Sequence, residues 1–391
     1  LGKDLDTFWS SLVAGHNGIK RLPDNVSEAF SNNIYIAGQA VDFSLDEFNL
    51  NRKVKRDICN SELLTRMVVY TGLSALIDAG IEYPNETADI GSFLGTGTAL
   101  AYRFDNEKFV DRNPKWFFET YPNIHLSHLC KAASLKGYGS TIVSACAGAN
   151  LAIGQAFKMI QNGQIEIALA GGADDKLQPP FFSGFSRLNM CTASSDPETA
   201  MRPFDKDRNG FVIGQGACMM VLESFEHAQK RGAQPMARLV GHGGSMNAGS
   251  IADASHEGIV NSMKMALSDA KLSENDIDYI NAHGSSTISN DNEESIAVKE
   301  MFGKRAYKIP INSTKSMIGH TFAACGAIEA AVCVKSLQEQ TVHVTRNFKQ
   351  SDLFCDLDYV SENSRKAKIN YCMSNTSGIG GYNSTLIFGL P

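Results

Sequence analysis

The strongest constraint on the fold is an alternation along most of the chain. A short apolar run leads to a turn of small residues, and a stretch with helical spacing follows. STIVSAC (140–146) is expected to be a strand, and GANLAIGQAFKMIQNG (148–163) a helix closed by Gly163. IEIALAGG (165–172) reads as a second, buried strand. Further on, helix 258–271 precedes strand 277–284, helix 290–303 closes at Gly303, and strand 308–314 leads into helix 322–340. Strands interleaved with helices imply an α/β fold. Two of the junctions echo each other. Cys146 stands between a strand and a helix that begins with AGAN, and His320 between a strand and a helix containing ACGAIEA. The matching order predicts two related halves, residues 1–234 and 235–391.

Composition narrows the function classes. Hydrophobic residues make up 43% and charged residues 20% of the 391 residues, as in a globular protein rather than a disordered chain. Lys+Arg 36 against Asp+Glu 42 leaves a net charge of −6, with no basic excess for nucleic acid. No run of about 18 apolar residues appears, so no membrane span is expected. The nine cysteines are an odd number without a CxxC pair, which argues against a disulfide framework or a zinc ribbon and for a reducing cytoplasm. His125 and His128 lie at helical spacing but lack an acidic third ligand, so no metal site is expected there. The opening LGKDLDTFWSSLVAG has no signal-peptide core, and the absence of an initiator Met suggests a start inside a longer chain.

A few residues are placed for chemistry. Cys146, at a strand-to-helix junction among Ala145, Ala147, Gly148 and Ala149, faces the positive end of a helix dipole, which is expected to lower its pKa and expose a thiolate. On position alone, a buried cysteine packing at a strand end competes with this reading. His283, in NAHGSST, follows a predicted strand directly; it is a candidate catalytic group or a turn histidine bonded to backbone. His320, in KSMIGH, precedes a helix whose dipole favours the neutral imidazole, suited to donate to a developing oxyanion. Lys315 precedes it by five residues. Gly378, Gly380 and Gly381 near the C-terminus mark unusual dihedrals or close approach. No GKS/T or GxGxxG phosphate loop and no GxSxG elbow is present.

The order of these segments, a Cys at a helix start, AHGSST, KSMIGH and a C-terminal GIGG, resembles the β-ketoacyl synthases of the thiolase superfamily. MRPFDKDRNGFVIGQGACMMVLE (201–223) resembles the family's RPFD…DGFVxGEGA segment. The resemblance spans the whole chain. It implies a thiolase-like fold of two pseudo-symmetric halves in αβαβα layers, and a Cys-His-His condensing enzyme. Cys146 would accept an acyl chain from an acyl carrier protein as a thioester. His283 and His320 would drive decarboxylation of malonyl-carrier and steady the enolate, which attacks the thioester. Lys315 and Glu329 would support the histidines. The backbone N–H groups of Cys146 and Ile379 would form the oxyanion hole, and Ser285, Thr287 and Phe211 would bind the phosphopantetheine arm. No cofactor is implied beyond that carrier-borne arm.

The chain departs from the family in three places. The opening VVITGxG strand, expected to be central to the first half, is absent. GIGG stands where the family usually has GFGG, so that Ile379 replaces an aromatic gate and Ser377 another common Phe. Asn290-Asp291 replaces Gly-Asp and, with CDLDYV (355–360), resembles the type II polyketide ketosynthases. Those work with a chain-length factor that lacks the Cys. The expectation is therefore a catalytic partner in polyketide or polyene synthesis; the alternatives are a homodimeric fatty-acid synthase of the II type and a non-catalytic chain-length-factor-like subunit. The densest basic run, Arg52, Lys53, Lys55 and Arg56, is the candidate dock for an acidic carrier, or else a solvated helix face.

Overall fold

In the computed structural model, which describes residues 1–22, 36–84, 89–97, 117, 118 and 120–391, the apolar runs form two sheets. The first contains β1 (Gly91–Thr96), β2 (Gly139–Ile142), β3 (Ile167–Asp175) and β4 (Gln215–Glu223), in the order β2-β1-β3-β4. The second contains β5 (Arg238–Met246), β6 (Tyr279–Asn281), β7 (Ile311–Asn312), β8 (Tyr371–Gly378) and β9 (Tyr382–Gly389), in the order β5-β9-β8-β6-β7. In both sheets three strands run parallel, followed by an antiparallel partner: β4 pairs antiparallel with β3, and β9 with β8. The second sheet has one strand more, β5, at its edge and antiparallel to β9.

Helices occupy both outer faces and the space between the sheets. α1 (Arg52–Cys59), α2 (Leu63–Asp78) and α3 (Ile124–Ala133) pack together, with α2 covering β3 and β4. α4 (Gly148–Gln161) and α7 (Cys325–Glu339) form the middle layer and touch strands of both sheets. α5 (His256–Ala270) covers β5 and β9 and packs on α6 (Ile288–Phe302). This is the expected αβαβα order. β3, buried along nearly its whole length, can be so enclosed because IALAGGADD offers small side chains to helices on both faces. Each fully buried Leu or Ile of the core formed by α2, such as Leu73 and Leu76 on the helix and Ile90 packed with it, contributes about 1.5–3 kcal/mol.

Several predicted strands are shorter than the apolar runs that suggested them. 277–284 yields only Tyr279–Asn281, and 308–314 only Ile311–Asn312; the remaining polar residues leave the ladder to build the site. In the second sheet β5 is an edge strand. Among the described residues, no helix is long and apolar enough to cross a membrane.

Candidate active site

Cys146 and His320 reach one point from equivalent junctions in the two sheets. After β2, Ala145 adopts φ 46° and opens a 3-10 turn, Ala145–Ala147, that runs into α4. After His320, Phe322 also adopts φ 46° and opens the turn Phe322–Ala324 that runs into α7. A left-handed backbone at residues bearing a Cβ is strained, and such strain concentrates where a side chain must be aimed. The Cys146 Sγ lies 3.1 Å from His320 Nε2.

His283 follows β6 in a turn clamped by α6. The Glu294 carboxylate accepts the backbone N–H groups of His283 and Gly284, each at 2.8 Å. The His283 and His320 rings are 5.2 Å apart, with their planes at 80°. Side-chain atoms of Cys146, His283 and His320 lie within 4.8 Å of one another, close enough to bind a metal ion, although the Lys315 ammonium 3.3 Å from His283 Nδ1 opposes a cation.

The hydrogen bonds assign the tautomers. His320 Nδ1 accepts the Phe322 N–H at 3.3 Å. His283 Nδ1 faces Lys315 Nζ, which also donates to the His283 carbonyl at 2.7 Å and to Glu329 Oε1 at 2.5 Å. With Nδ1 an acceptor in both rings, each neutral imidazole carries its proton on Nε2. Burial, reinforced by Lys315, holds both histidines well below the ordinary imidazole range. The neutral His320 expected from the helix dipole is present, with desolvation as the main cause. Two N–H donors therefore converge beside one thiol.

The thiol itself departs from expectation. Cys146 is 4% exposed, and burial pushes it up to about 12 against the pull of Lys315. Desolvation outweighs the helix terminus, so the resting group is a thiol rather than the expected thiolate. Lys315 and Glu329 are fully buried. Burial pushes the Glu329 carboxyl up to about 7, with Lys315 opposing. Lys315 is held above the ordinary lysine range: burial works against its charge, and Cys325 and Glu329 support it.

The GIGG segment is the hairpin between β8 and β9, with Gly380 and Gly381 at φ 92° and 82°. Gly378 abuts the nucleophile loop; a Cβ there would stand 3.2 Å from the amide nitrogens of Cys146 and Ala147. Ile379 follows at 37% exposure. Phe211 meets His320 edge-on at 5.3 Å, and Phe322 stacks on His320 at 4.6 Å. Ser285 is buried and bonds Thr287 at 2.9 Å, while Thr287 caps α6. The basic run forms α1, outside this cluster. Arg52, Lys53 and Arg56 are exposed, and Lys55 is ion-paired with the exposed Asp46. His125 is buried against Thr65 at 2.8 Å.

Three supporting groups went unread in the sequence. Besides Glu294 and Phe322, Asp174 at the end of β3 accepts the Ala323 N–H at 3.1 Å and so anchors the turn after His320. An acid pair closing an otherwise apolar strand, GGADD, was the available signal.

Comparison with known proteins agrees with this geometry. Residues 1–228 match the family described as Beta-ketoacyl synthase, N-terminal domain, and residues 236–349 match Beta-ketoacyl synthase, C-terminal domain. A 3-oxoacyl-[acyl-carrier-protein] synthase 2 of Staphylococcus aureus is 33% identical, covering 99% of this chain and 95% of that protein. The ishigamide ketosynthase/chain length factor superposes with a TM-score of 0.89 at 26% identity, over 99% of this chain and 95% of its own. A type II polyketide ketosynthase, solved in complex with its acyl-carrier protein and bound to a hexaketide, gives 0.87 at 28% identity over 99% and 95%. A thiol at a strand-to-helix junction, facing two imidazole donors inside a two-sheet thiolase-like fold, belongs to the β-ketoacyl synthase family of condensing acyltransferases.

Proposed function

We propose that this chain is the catalytic ketosynthase of a carrier-dependent pathway of the type II polyketide or polyene kind, acting beside a chain-length-factor partner. The observation that carries the condensation is the convergence of two Nε2–H donors on the Cys146 thiol. In the first step Sγ attacks the thioester carbonyl of an acyl-carrier; the Sγ–C bond forms, and the carrier thiol leaves with the proton. The amides of Cys146 and Ile379 receive the oxyanion, a role supported by the position of Gly378, the neighbour of Ile379, where even an added Cβ would stand 3.2 Å from the Cys146 amide nitrogen. In the second step the carboxylate of malonyl-carrier leaves as CO2. The C–C electron pair passes into an enolate, whose oxygen the Nε2–H groups of His283 and His320 hold. Its carbon then attacks the Cys146 thioester, the Sγ–C bond breaks, the sulfur leaves as a thiolate that takes one proton from water, and the β-ketoacyl-carrier departs two carbons longer.

Lys315 and Glu329 position His283 in this scheme. Ser285 and Thr287 border the His283 turn, where the pantetheine arm would end, and Phe211 orients His320. The polyketide reading rests on Ile379, Ser377 and Asn290-Asp291, and on the likeness to ketosynthases of that kind. The 33% identity with a fatty-acid type relative favours a second reading, a homodimeric synthase of the II type. Acyl-carrier and malonyl-carrier supplied together should yield CO2 and a β-ketoacyl-carrier with the wild-type chain, and no condensation with Cys146→Ala. Equal product from Cys146→Ala would refute the covalent route. Product formed without any partner subunit would favour the homodimer.

A further inference from the structure

His320 has to keep its Nε2–H aimed while the group beside it changes. Among the described residues its ring nitrogens have two partners: the Cys146 thiol, 3.1 Å from Nε2, and the Phe322 N–H, 3.3 Å from Nδ1. Acylation turns the thiol into a thioester, whose sulfur is a weak acceptor. One long hydrogen bond from an amide then holds the imidazole when it must meet the enolate, and the rest of its hold is ring packing. Phe322 stacks on the imidazole, 4.6 Å away and 16° from parallel. Phe185 stacks in turn on Phe322, 5.1 Å away and 19° from parallel, so that three near-parallel rings lie in a row. Phe211 stands edge-on to His320, Phe322 and Phe185, at 5.3, 5.6 and 5.5 Å.

We propose that Phe185 is a positioning residue for His320, acting through the ring of Phe322. This role rests on His320 being an enolate donor and is independent of which acyl chain is carried. Phe185 lies on the helix Pro179–Arg187, one turn after the buried Phe182. Its half-buried ring packs against the apolar cluster that holds Cys146, Phe211 and Phe322. Its backbone is tied to the segment that carries His320. The Phe185 carbonyl accepts the Met190 N–H at 3.0 Å, and the Met190 carbonyl accepts the Phe211 N–H at 2.9 Å. One residue on, the Val212 carbonyl accepts the His320 N–H, and the His320 carbonyl accepts the Gly214 N–H, both at 2.8 Å. Both ends of the stack are thus fixed to one stretch of backbone, 211–214, and the Phe322 ring between them has little freedom to turn. Phe322 does two jobs: its N–H selects the tautomer of His320, and its ring, backed by Phe185, sets the plane. A rigid aromatic face at 185 supplies that backing; a flexible aliphatic side chain of similar bulk fills the space without fixing a plane.

The test uses enzyme preloaded with an acyl group on Cys146, so that loading does not enter, and follows CO2 release against malonyl-carrier concentration. Phe185→Leu and Phe185→Met should each lower the rate constant at saturation about fivefold, the worth of one aromatic contact, without raising the half-saturating concentration. Phe185→Tyr, which keeps the ring, should release CO2 at close to the wild-type rate. In a Phe322→Leu background, Phe185→Leu should have little further effect, because contacts within one stack are not additive. Thermal melting reports the fold of each variant, and Phe185→Met carries the test if Phe185→Leu melts early. Four results would each overturn the proposal. These are wild-type rates in Phe185→Leu and Phe185→Met, a Phe185→Tyr as slow as Phe185→Met, a change confined to half-saturation, and an undiminished effect of Phe185→Leu beside Phe322→Leu. His320→Ala separates the positioning role from the reading beneath it. A slow His320→Ala with a fast Phe185→Met refutes the positioning role alone, whereas wild-type CO2 release by His320→Ala refutes His320 as the enolate donor.

Discussion

Lys315→Met separates the structural from the chemical role of the buried ion pair. The methionine fills the lysine's space and leaves Glu329 fully buried without a cation. Removing one member of a buried pair costs about 3–5 kcal/mol, and here the cost depends on pH. The Glu329 carboxyl stands at about 7 in the folded protein even with Lys315 present, against an ordinary value of 4.5, and losing Lys315 raises it further. The folded variant then holds a proton that the unfolded chain releases. Its stability is therefore greatest below pH 4.5 and falls as pH rises through 7. At about 1.4 kcal/mol per unit, the loss across that span is roughly 3 kcal/mol. Lys315→Met/Glu329→Gln removes the stranded carboxylate and should regain most of the stability and lose this pH dependence. Neither variant restores the donor to His283 Nδ1, so the ring is free to change tautomer. CO2 release from malonyl-carrier should stay about 100-fold down in both, the cost of one oxyanion donor. Urea unfolding from pH 5 to 8 and a CO2-release assay measure the two effects. Stability of Lys315→Met that rises with pH, or wild-type CO2 release by the double variant, would refute the reasoning.

Three further outcomes are expected. Because burial pushes Cys146 up to about 12, its alkylation by iodoacetamide should quicken about tenfold per pH unit from 7 to 9; a plateau below pH 7.5 would show a thiolate at rest. Ile379→Phe should shift the acyl-length profile of loading, at roughly 1–3 kcal/mol per methylene excluded, without changing alkylation of Cys146; identical profiles would place the gate elsewhere. Lys53→Glu/Arg56→Glu should weaken carrier association at low salt and matter less at high salt, and unchanged affinity at low salt would exclude α1 as the dock.

The residues that cluster in the candidate site were legible because turns of small residues punctuate this chain. Cys146, His283 and His320 each stand where an apolar run stops and backbone must turn, and the polar residues around them have no place in a ladder. Burial was not legible there. Cys146 instead sits in a buried cluster with Phe182, Phe211 and Phe322, gathered from distant parts of the chain, and burial there raises the thiol against the thiolate expectation. Contacts between distant segments were equally hidden. Glu294 reads as one charge among NDNEE, although it holds the His283 turn through two backbone amides.

The central claim is that Cys146 carries the acyl chain, and the intact mass of the protein tests it most directly. After incubation with an acyl-carrier, the wild-type chain should gain the mass of one acyl group less one proton. The gain should be absent in Cys146→Ala and should disappear from the wild type when malonyl-carrier is added. An acyl adduct of equal extent on Cys146→Ala, or one on the wild type that malonyl-carrier cannot discharge, would contradict the account.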